Sequence, residues 1–72
     1  MTISQRDYDL LSGLEVLGVT YVAASEMMDA RRLEKEGLVS LREMNAAPIM
    51  WRLTVKGERR ISDARRYGEA IT

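Results

Sequence analysis

Residues 31–58 read RRLEKEGLVSLREMNAAPIMWRLTVKGE, and the spacing of the apolar residues changes once within this stretch. Just before the stretch and at its start, apolar residues recur every three or four positions, as on one face of a helix. They are Ala23, Met27, Ala30 and Leu33. Gly37 then occupies the place where helices commonly end in left-handed backbone, and Leu38 is positioned as the apolar partner of a Schellman-type cap. From Val39 the apolar residues alternate, which is the period of a strand. The stretch therefore predicts a helix that leads directly into a strand.

Two alternating runs, residues 39–42 and 49–53, predict a β-hairpin. The residues between them, Asn45-Ala46-Ala47-Pro48, have the composition of a turn, and Pro48 suits the start of an edge strand. One face of the hairpin would bury apolar side chains against the helices, and the other would direct Arg42 and Arg52 outward. The predicted inner face consists of Val39, Leu41, Trp51 and Leu53.

Cap residues mark three helices in the chain. Ser4 with Asp7 resembles a capping box and predicts a helix over 4–17 that ends at Gly18. Thr20 predicts the start of a second helix over about 20–36, and Thr54 the start of a third over about 55–68. The buried stripe of the second helix would be Ala23, Met27, Ala30 and Leu33. The expected fold is a single small α+β domain over 1–72 in the order α-α-β-β-α.

The composition argues against several function classes. The 72 residues include no Cys and no His, which removes disulfides, thiolate or imidazole zinc sites and the usual nucleophile and base pairs. No phosphate-binding glycine motif is present. We therefore expect a protein that is not an enzyme and has no metal or cofactor. The longest apolar runs are only a few residues long, so we expect no membrane segment and a cytoplasmic location.

The charge is balanced overall but unevenly distributed. The formal net charge is zero and the isoelectric point is about 6.2, whereas nucleic-acid-binding domains usually have a basic excess. Residues 1–30 contain one Arg and five acidic residues, a net charge of −4, and residues 31–72 have a net charge of +4. One face of the domain can therefore be basic although the whole is neutral.

Two blocks of sequence, RRLEKEGLV at 31–39 and WRLTVKGE at 51–58, together resemble the end of the recognition helix and the wing of winged-helix regulators of bacteria and phages. In that family a glycine-stopped helix turns into the first wing strand, and the second wing strand closes on a Leu-Thr-x-x-Gly that starts the next helix. The match spans roughly residues 17–58. The resemblance implies a winged-helix fold with a two-stranded wing and binding to double-stranded DNA.

The chain departs from the family in one respect. A full member has three helices before the wing, and only two fit here, so either the first helix is missing or the middle one is reduced to a stub. We favour the alignment in which 17–20 is the turn of a helix-turn-helix and 20–36 is the recognition helix. The C-terminal helix, or a second subunit, would then cover the core surface that the absent helix normally covers.

The resemblance implies two groups of DNA-contacting residues. The exposed face of the second helix would enter the major groove with Tyr21, Ser25, Arg32 and Lys35, and the wing would contact phosphates or the minor groove with Arg42, Arg52 and Asn45. The alternative for the helix is an ordinary solvated face, because Glu26 and Asp29 would lie near phosphates. The alternative for the wing is pairing of its arginines with Glu43.

The remaining basic residues are expected to form ion pairs. Glu34 and Glu36 lie at helical spacing from the Arg31-Arg32 pair, which favours local pairing of Arg31. The Arg59-Arg60 and Arg65-Arg66 pairs alternate with Glu58, Asp63 and Glu69, which is typical of a solvated, salt-bridged face.

Two functions fit these patterns. The first is a small transcriptional regulator that binds DNA, expected to act as a homodimer because one short domain makes few contacts. The second is a winged-helix scaffold for protein contact, such as a small phage or mobile-element protein that binds a host factor. The zero net charge favours the second function. An apolar surplus favours it too, namely Met27, Met28, Met44 and Met50 with Trp51.

Overall fold

The computed structural model describes residues 2–45 and 47–72, and it confirms a small α+β fold. Helices cover one face of a three-stranded antiparallel sheet, and a separate pair of short parallel strands joins the two ends of the chain. The helices are α1 (Gln5–Leu17), α2 (Met27–Lys35) and α3 (Val55–Arg66), with a 3₁₀ turn at Ala24–Glu26. The strands are β1 (Thr2–Ile3), β2 (Thr20–Tyr21), β3 (Val39–Arg42), β4 (Met50–Leu53) and β5 (Ala70–Ile71).

The first helix has the predicted ends. The Ser4 hydroxyl accepts a hydrogen bond from the Asp7 backbone N–H at 3.0 Å, which satisfies one of the free donors of the first turn. Gly18 has a φ of 79°, and its N–H donates to the Leu14 carbonyl at 2.8 Å. Glycine is favoured at such a position because it lacks the Cβ that opposes positive φ.

The predicted start of the second helix at Thr20 is wrong. Thr20 and Tyr21 form β2 and pair with Trp51 and Met50 of β4, and α2 begins only at Met27. The physical reason is the run from Val19 to Val22, which contains only β-branched and aromatic residues and therefore suits a pleated strand. The buried stripe is confirmed in part: Ala30 and Leu33 are fully buried, Met27 is only partly buried, and Ala23 lies before α2.

The predicted end of the second helix is confirmed. Gly37 has a φ of 81°, its N–H donates to the Glu34 carbonyl at 2.9 Å, and the Leu38 N–H donates to the Leu33 carbonyl at 2.9 Å. These two bonds constitute the Schellman motif. Leu38 is buried in the core, as its predicted role in the cap requires.

The hairpin is confirmed with its predicted faces. Val39 pairs with Leu53 and Leu41 with Trp51 on the side that meets the helices, where Val39 and Trp51 are buried. The alternate pairs, Ser40 with Arg52 and Arg42 with Met50, lie on the opposite side. In the predicted turn, Ala46 lies outside the described residues.

The third helix begins at its predicted cap, Thr54, and ends at Arg66, two residues before the predicted end. The Thr54 hydroxyl accepts from the Gly57 N–H at 3.0 Å and donates to the Gly37 carbonyl at 2.6 Å, so it joins the start of α3 to the end of α2. Gly57 lies so close to β3 that a Cβ there would be 1.9 Å from the Leu38 carbonyl oxygen.

The pairing of the two chain ends was not predicted. Thr2 and Ile3 of β1 lie parallel to Ala70 and Ile71 of β5, and the Thr72 N–H donates to the Ile3 carbonyl at 3.0 Å. An ion pair between Arg60 and Glu69, 2.6 Å long, holds the segment after α3 against that helix. The two short strands form a sheet of their own, separate from β2, β3 and β4.

One hydrophobic core lies between the helices and the inner face of the sheet. Its largest fully buried side chains are Leu11 of α1, Leu33 of α2 and Ile61 of α3, and Trp51 of β4 is only 2% exposed. The third helix therefore covers part of the core. No helix in residues 2–45 and 47–72 combines the length and apolar character needed to span a bilayer.

Candidate nucleic-acid interface

The side of the three-stranded sheet that faces away from the helices is called here the outer sheet face, and it comprises Tyr21, Ser40, Arg42, Met50 and Arg52. The pairing places Tyr21, Met50 and Arg42 in one row across β2, β4 and β3. Arg52 lies beside Ser40 in the next row. Arg42 and Arg52 are therefore diagonal neighbours on adjacent strands, a relation in which the two Cα atoms lie about 7–8 Å apart. Their side chains leave the sheet on the same side.

A groove of about 600 Å³ runs over this face and contains both arginines. Its apolar lining comes mainly from Met44, Met50 and Val19, and no carboxylate of a described residue contributes to it. Neither Arg42 nor Arg52 forms an ion pair with any residue in 2–45 or 47–72. Glu43, the predicted alternative partner, pairs with Arg31 instead. The groove is therefore an exposed basic site with an apolar floor.

Arg32 has a different environment, because three carboxylates surround it. Its guanidinium lies 2.5 Å from Asp7, 2.8 Å from Glu36 and 3.5 Å from Asp29. These contacts, led by the hydrogen bond with Asp7, raise the pKa of Arg32 above its ordinary value. The Arg32 charge is thus neutralised within the protein, which leaves little positive potential for a phosphate.

Asp29 also has partners that the sequence did not indicate. Arg6 of α1 donates to its carboxylate at 2.6 Å, and this hydrogen bond is the main cause that lowers the pKa of Asp29. Asp29 therefore has a compensating cation within the protein. Nothing in the sequence near Asp29 indicates Arg6, because the two residues lie on different helices.

The seven predicted contact residues do not form one surface. Tyr21, Arg42 and Arg52 lie on the outer sheet face, and Asn45 is exposed at the hairpin tip. Tyr21 belongs to a strand, so its predicted place on the second helix is wrong.

The other three predicted residues, Ser25, Arg32 and Lys35, lie on the helical side of the sheet. Ser25 is an exposed residue of the 3₁₀ turn, and its carbonyl accepts from Arg6 at 2.9 Å. Lys35 is the exposed last residue of α2.

The predicted ion pairing is confirmed for Arg31 and Arg60. It is wrong in its partner for Arg65, and among the described residues Arg59 and Arg66 form no ion pair. Arg31 pairs with Glu34 at 3.9 Å and with Glu43. Arg60 pairs with Glu69, whose hydrogen bond raises the pKa of Arg60. Arg65 pairs with Glu15 of α1 at 2.7 Å, and its guanidinium lies 5.7 Å from the centre of the Tyr8 ring.

Comparison of the chain with models of known families, with curated proteins and with solved structures gives no match. Among the described residues, the groove on the outer sheet face combines a concave shape with two exposed, unpaired arginines, and Arg52 also lines a neighbouring recess that contains Glu15 and Glu58.

Proposed function

We propose that this chain is a DNA-binding protein of the winged-helix kind, a small regulator of transcription, and that it contacts duplex DNA chiefly through the β3–β4 hairpin. The observation that supports this proposal most is the pair Arg42 and Arg52, which share one exposed face without an acidic partner among the described residues. Unpaired cations of this kind release counterions from DNA when they bind phosphates, and this release drives much of DNA affinity.

The shape of the hairpin suits the proposed contact. A two-stranded antiparallel ribbon fits within the major groove of DNA, and arginines on a wing can also contact phosphates or the minor groove. Asn45 at the hairpin tip adds an amide that can both donate and accept hydrogen bonds. The Met50 and Met44 side chains between and beside the arginines offer apolar contact surface.

The path of the chain before the hairpin argues against the alignment favoured from the sequence, because Thr20 belongs to β2, and it supports the alignment in which the middle helix is a stub. The 3₁₀ turn at Ala24–Glu26 lies between α1 and α2, where a stub of the middle helix belongs. On this alignment α2 takes the position of the recognition helix and β3–β4 the position of the wing. Because Arg32 is neutralised, we expect α2 to contribute less to DNA affinity than the hairpin.

The test is fluorescence anisotropy with a labelled mixed-sequence duplex at low salt. We expect Arg42→Ala with Arg52→Ala to weaken binding at least about tenfold and to reduce the slope of log K against log salt by about 2, since each phosphate contact contributes about 0.9. The matched control is Arg59→Ala with Arg66→Ala, which removes the same charge from exposed positions on α3. Absence of binding by the unmodified protein, or equal losses in both double variants, would contradict the proposal.

Protein contact is a second candidate function, and the apolar floor of the same groove favours it. It predicts a stoichiometric protein partner in a pull-down from nuclease-treated cell extract. That partner should be lost when Met44 and Met50 are both replaced by Lys, because the apolar floor is then charged. Met28→Lys is the control, because Met28 is 88% exposed on α2, and this variant should still bind the partner.

A further inference from the structure

The three-stranded sheet has one edge, the two-residue strand β2, that carries neither a charged residue nor a proline to oppose pairing with another chain. The strand order is β2-β4-β3, so β2 has a strand neighbour on one side only. Natural edges are commonly protected by charged residues, proline or bulges. The β3 edge carries Arg42 and is followed by Glu43, whereas residues 16–25, VLGVTYVAAS, contain no charged residue in a chain that is 31% charged.

The main chain at the β2 edge is available for hydrogen bonding. The Val22 N–H donates to the Ile49 carbonyl at 2.7 Å, and Thr20 pairs with Trp51, so both residues direct their backbone groups toward β4. Because these directions alternate along an antiparallel strand, the N–H and C=O groups of Val19 and Tyr21 point away from β4. The edge thus presents two donors and two acceptors to a further strand.

The side chains beside this edge form an exposed apolar patch. Val16 and Leu17 at the end of α1 are 83% and 65% exposed, and Val19 and Tyr21 are 56% and 61% exposed. A recess of about 260 Å³ opens next to the patch, between α1 and β2, and Leu17 and Tyr21 form part of its wall. Clustered apolar exposure of this kind marks an interaction surface.

The chemistry of this surface fits a second copy of the same chain. Residues 16–25 contain no charge that could attract a basic or an acidic partner. The backbone N–H and C=O groups at the β2 edge require a strand as their partner. The chain's own β2 is an uncharged strand of the same apolar character. A two-fold axis allows it to meet itself, because the same patch then serves both sides of the contact.

We propose that two copies of this chain associate through antiparallel pairing of their β2 strands about a two-fold axis at Thr20. This register places Val19 opposite Tyr21 of the second copy, and each such pair exchanges two backbone hydrogen bonds, four in total. The two sheets become one six-stranded sheet. The inference does not depend on DNA binding, because the arginines of the hairpin play no part in the contact.

The experiment measures the molecular mass in solution by sedimentation equilibrium, from about 10 μM to about 1 mM protein, a range that covers weak association. The unmodified chain is expected to dimerise. Val19→Lys with Tyr21→Lys places like charges opposite each other and is expected to raise the dissociation constant at least about tenfold. Met28→Lys, at a more exposed apolar position on α2, is the control and should dimerise as the unmodified chain does.

The register is tested by mixing two variants. Val19→Glu with Tyr21→Glu should also be monomeric, but an equimolar mixture with the Lys variant should form a heterodimer, because position 19 of each copy then faces an opposite charge at position 21. Circular dichroism of each variant confirms that it is folded. Hydrogen exchange offers a further test on the unmodified chain. The backbone N–H of Tyr21 should exchange more slowly as the protein concentration rises.

Three outcomes would overturn the proposal. The first is a monomer at every concentration of the unmodified chain. The second is a dimer that the two lysines do not weaken, because its interface would lie elsewhere. The third is a mixture of the Lys and Glu variants in which no heterodimer forms, because the pairing register would then be wrong.

Discussion

Replacing Gly57 with alanine tests the close contact between the first turn of α3 and the start of β3. Alanine at a helical position normally stabilises a protein relative to glycine by about 1 kcal/mol. At this position the added Cβ would lie 1.9 Å from the Leu38 carbonyl oxygen and 3.1 Å from a methyl group of Leu53. The carbonyl belongs to the main chain, so a change of side-chain rotamer cannot relieve the contact.

The expected cost follows from what must move. Forcing extra volume into a packed region costs about 1–3 kcal/mol. The Leu38 carbonyl also accepts the Thr54 N–H at 3.1 Å, and weakening that hydrogen bond costs about 1 kcal/mol more. After the gain in helix propensity, we expect a net loss of about 2 kcal/mol from a total stability of about 4–11 kcal/mol for 72 residues. The midpoint of thermal unfolding should fall by about 8–16 °C.

The assay is urea and thermal unfolding followed by circular dichroism, with Gly13→Ala as the matched control. Gly13 lies inside α1, and a Cβ added there meets no other atom within 4 Å. The control variant should therefore gain up to about 1 kcal/mol. Opposite signs for the same substitution are the result expected, and a Gly57→Ala protein as stable as the unmodified chain would refute the reasoning.

Three further predictions concern stability. Thr54→Ala should lower the free energy of unfolding in urea by about 1–2 kcal/mol, because it removes both the cap of α3 and the bond to Gly37, and Thr54→Ser should restore most of that loss. Leu33→Ala should cost about 3 kcal/mol or more in the same assay, because Leu33 is 0% exposed and its removal leaves a cavity. The hydrogen bond from Arg6 lowers the pKa of Asp29 in the folded state. The ionised carboxylate therefore stabilises the folded state at pH values above the unfolded pKa of about 3.9. This stabilisation is lost as the pH falls through the lower pKa of the folded state. Asp29→Asn should therefore show a shallower loss of stability below about pH 4, and an unchanged pH profile would argue against the Arg6 contact.

The elements that depend on neighbouring residues were predictable from the sequence. The Gly37 cap and the Thr54 cap are made by residues within five positions of each other, so the spacing of a few residue types is enough to indicate them. The faces of the hairpin follow from strict alternation, and the outward positions of Arg42 and Arg52 follow with them.

The elements that depend on distant residues were not predictable in this way. The run Val19 to Val22 does contain a strand signal, but Thr20 is also a good helix cap, and only the pairing with β4 decides between the two. The neutralisation of Arg32 depends on Asp7 in another helix. The resemblance suggested Arg32 as a DNA contact although Glu36 and Asp29 lie at helical spacing from it, and spacing could not reveal its third partner, Asp7.

The parallel pairing of β1 with β5 has a consequence for the order of folding. It closes almost the entire chain into a loop, and the entropic cost of closure grows with loop length. Because only two residue pairs form there, their pairing offsets the entropic cost of closure only once α1 and α3 hold the two ends near each other. We therefore expect the pair to assemble last and to open first, and its opening would expose Ile3, a member of the core that is 5% exposed in the folded domain.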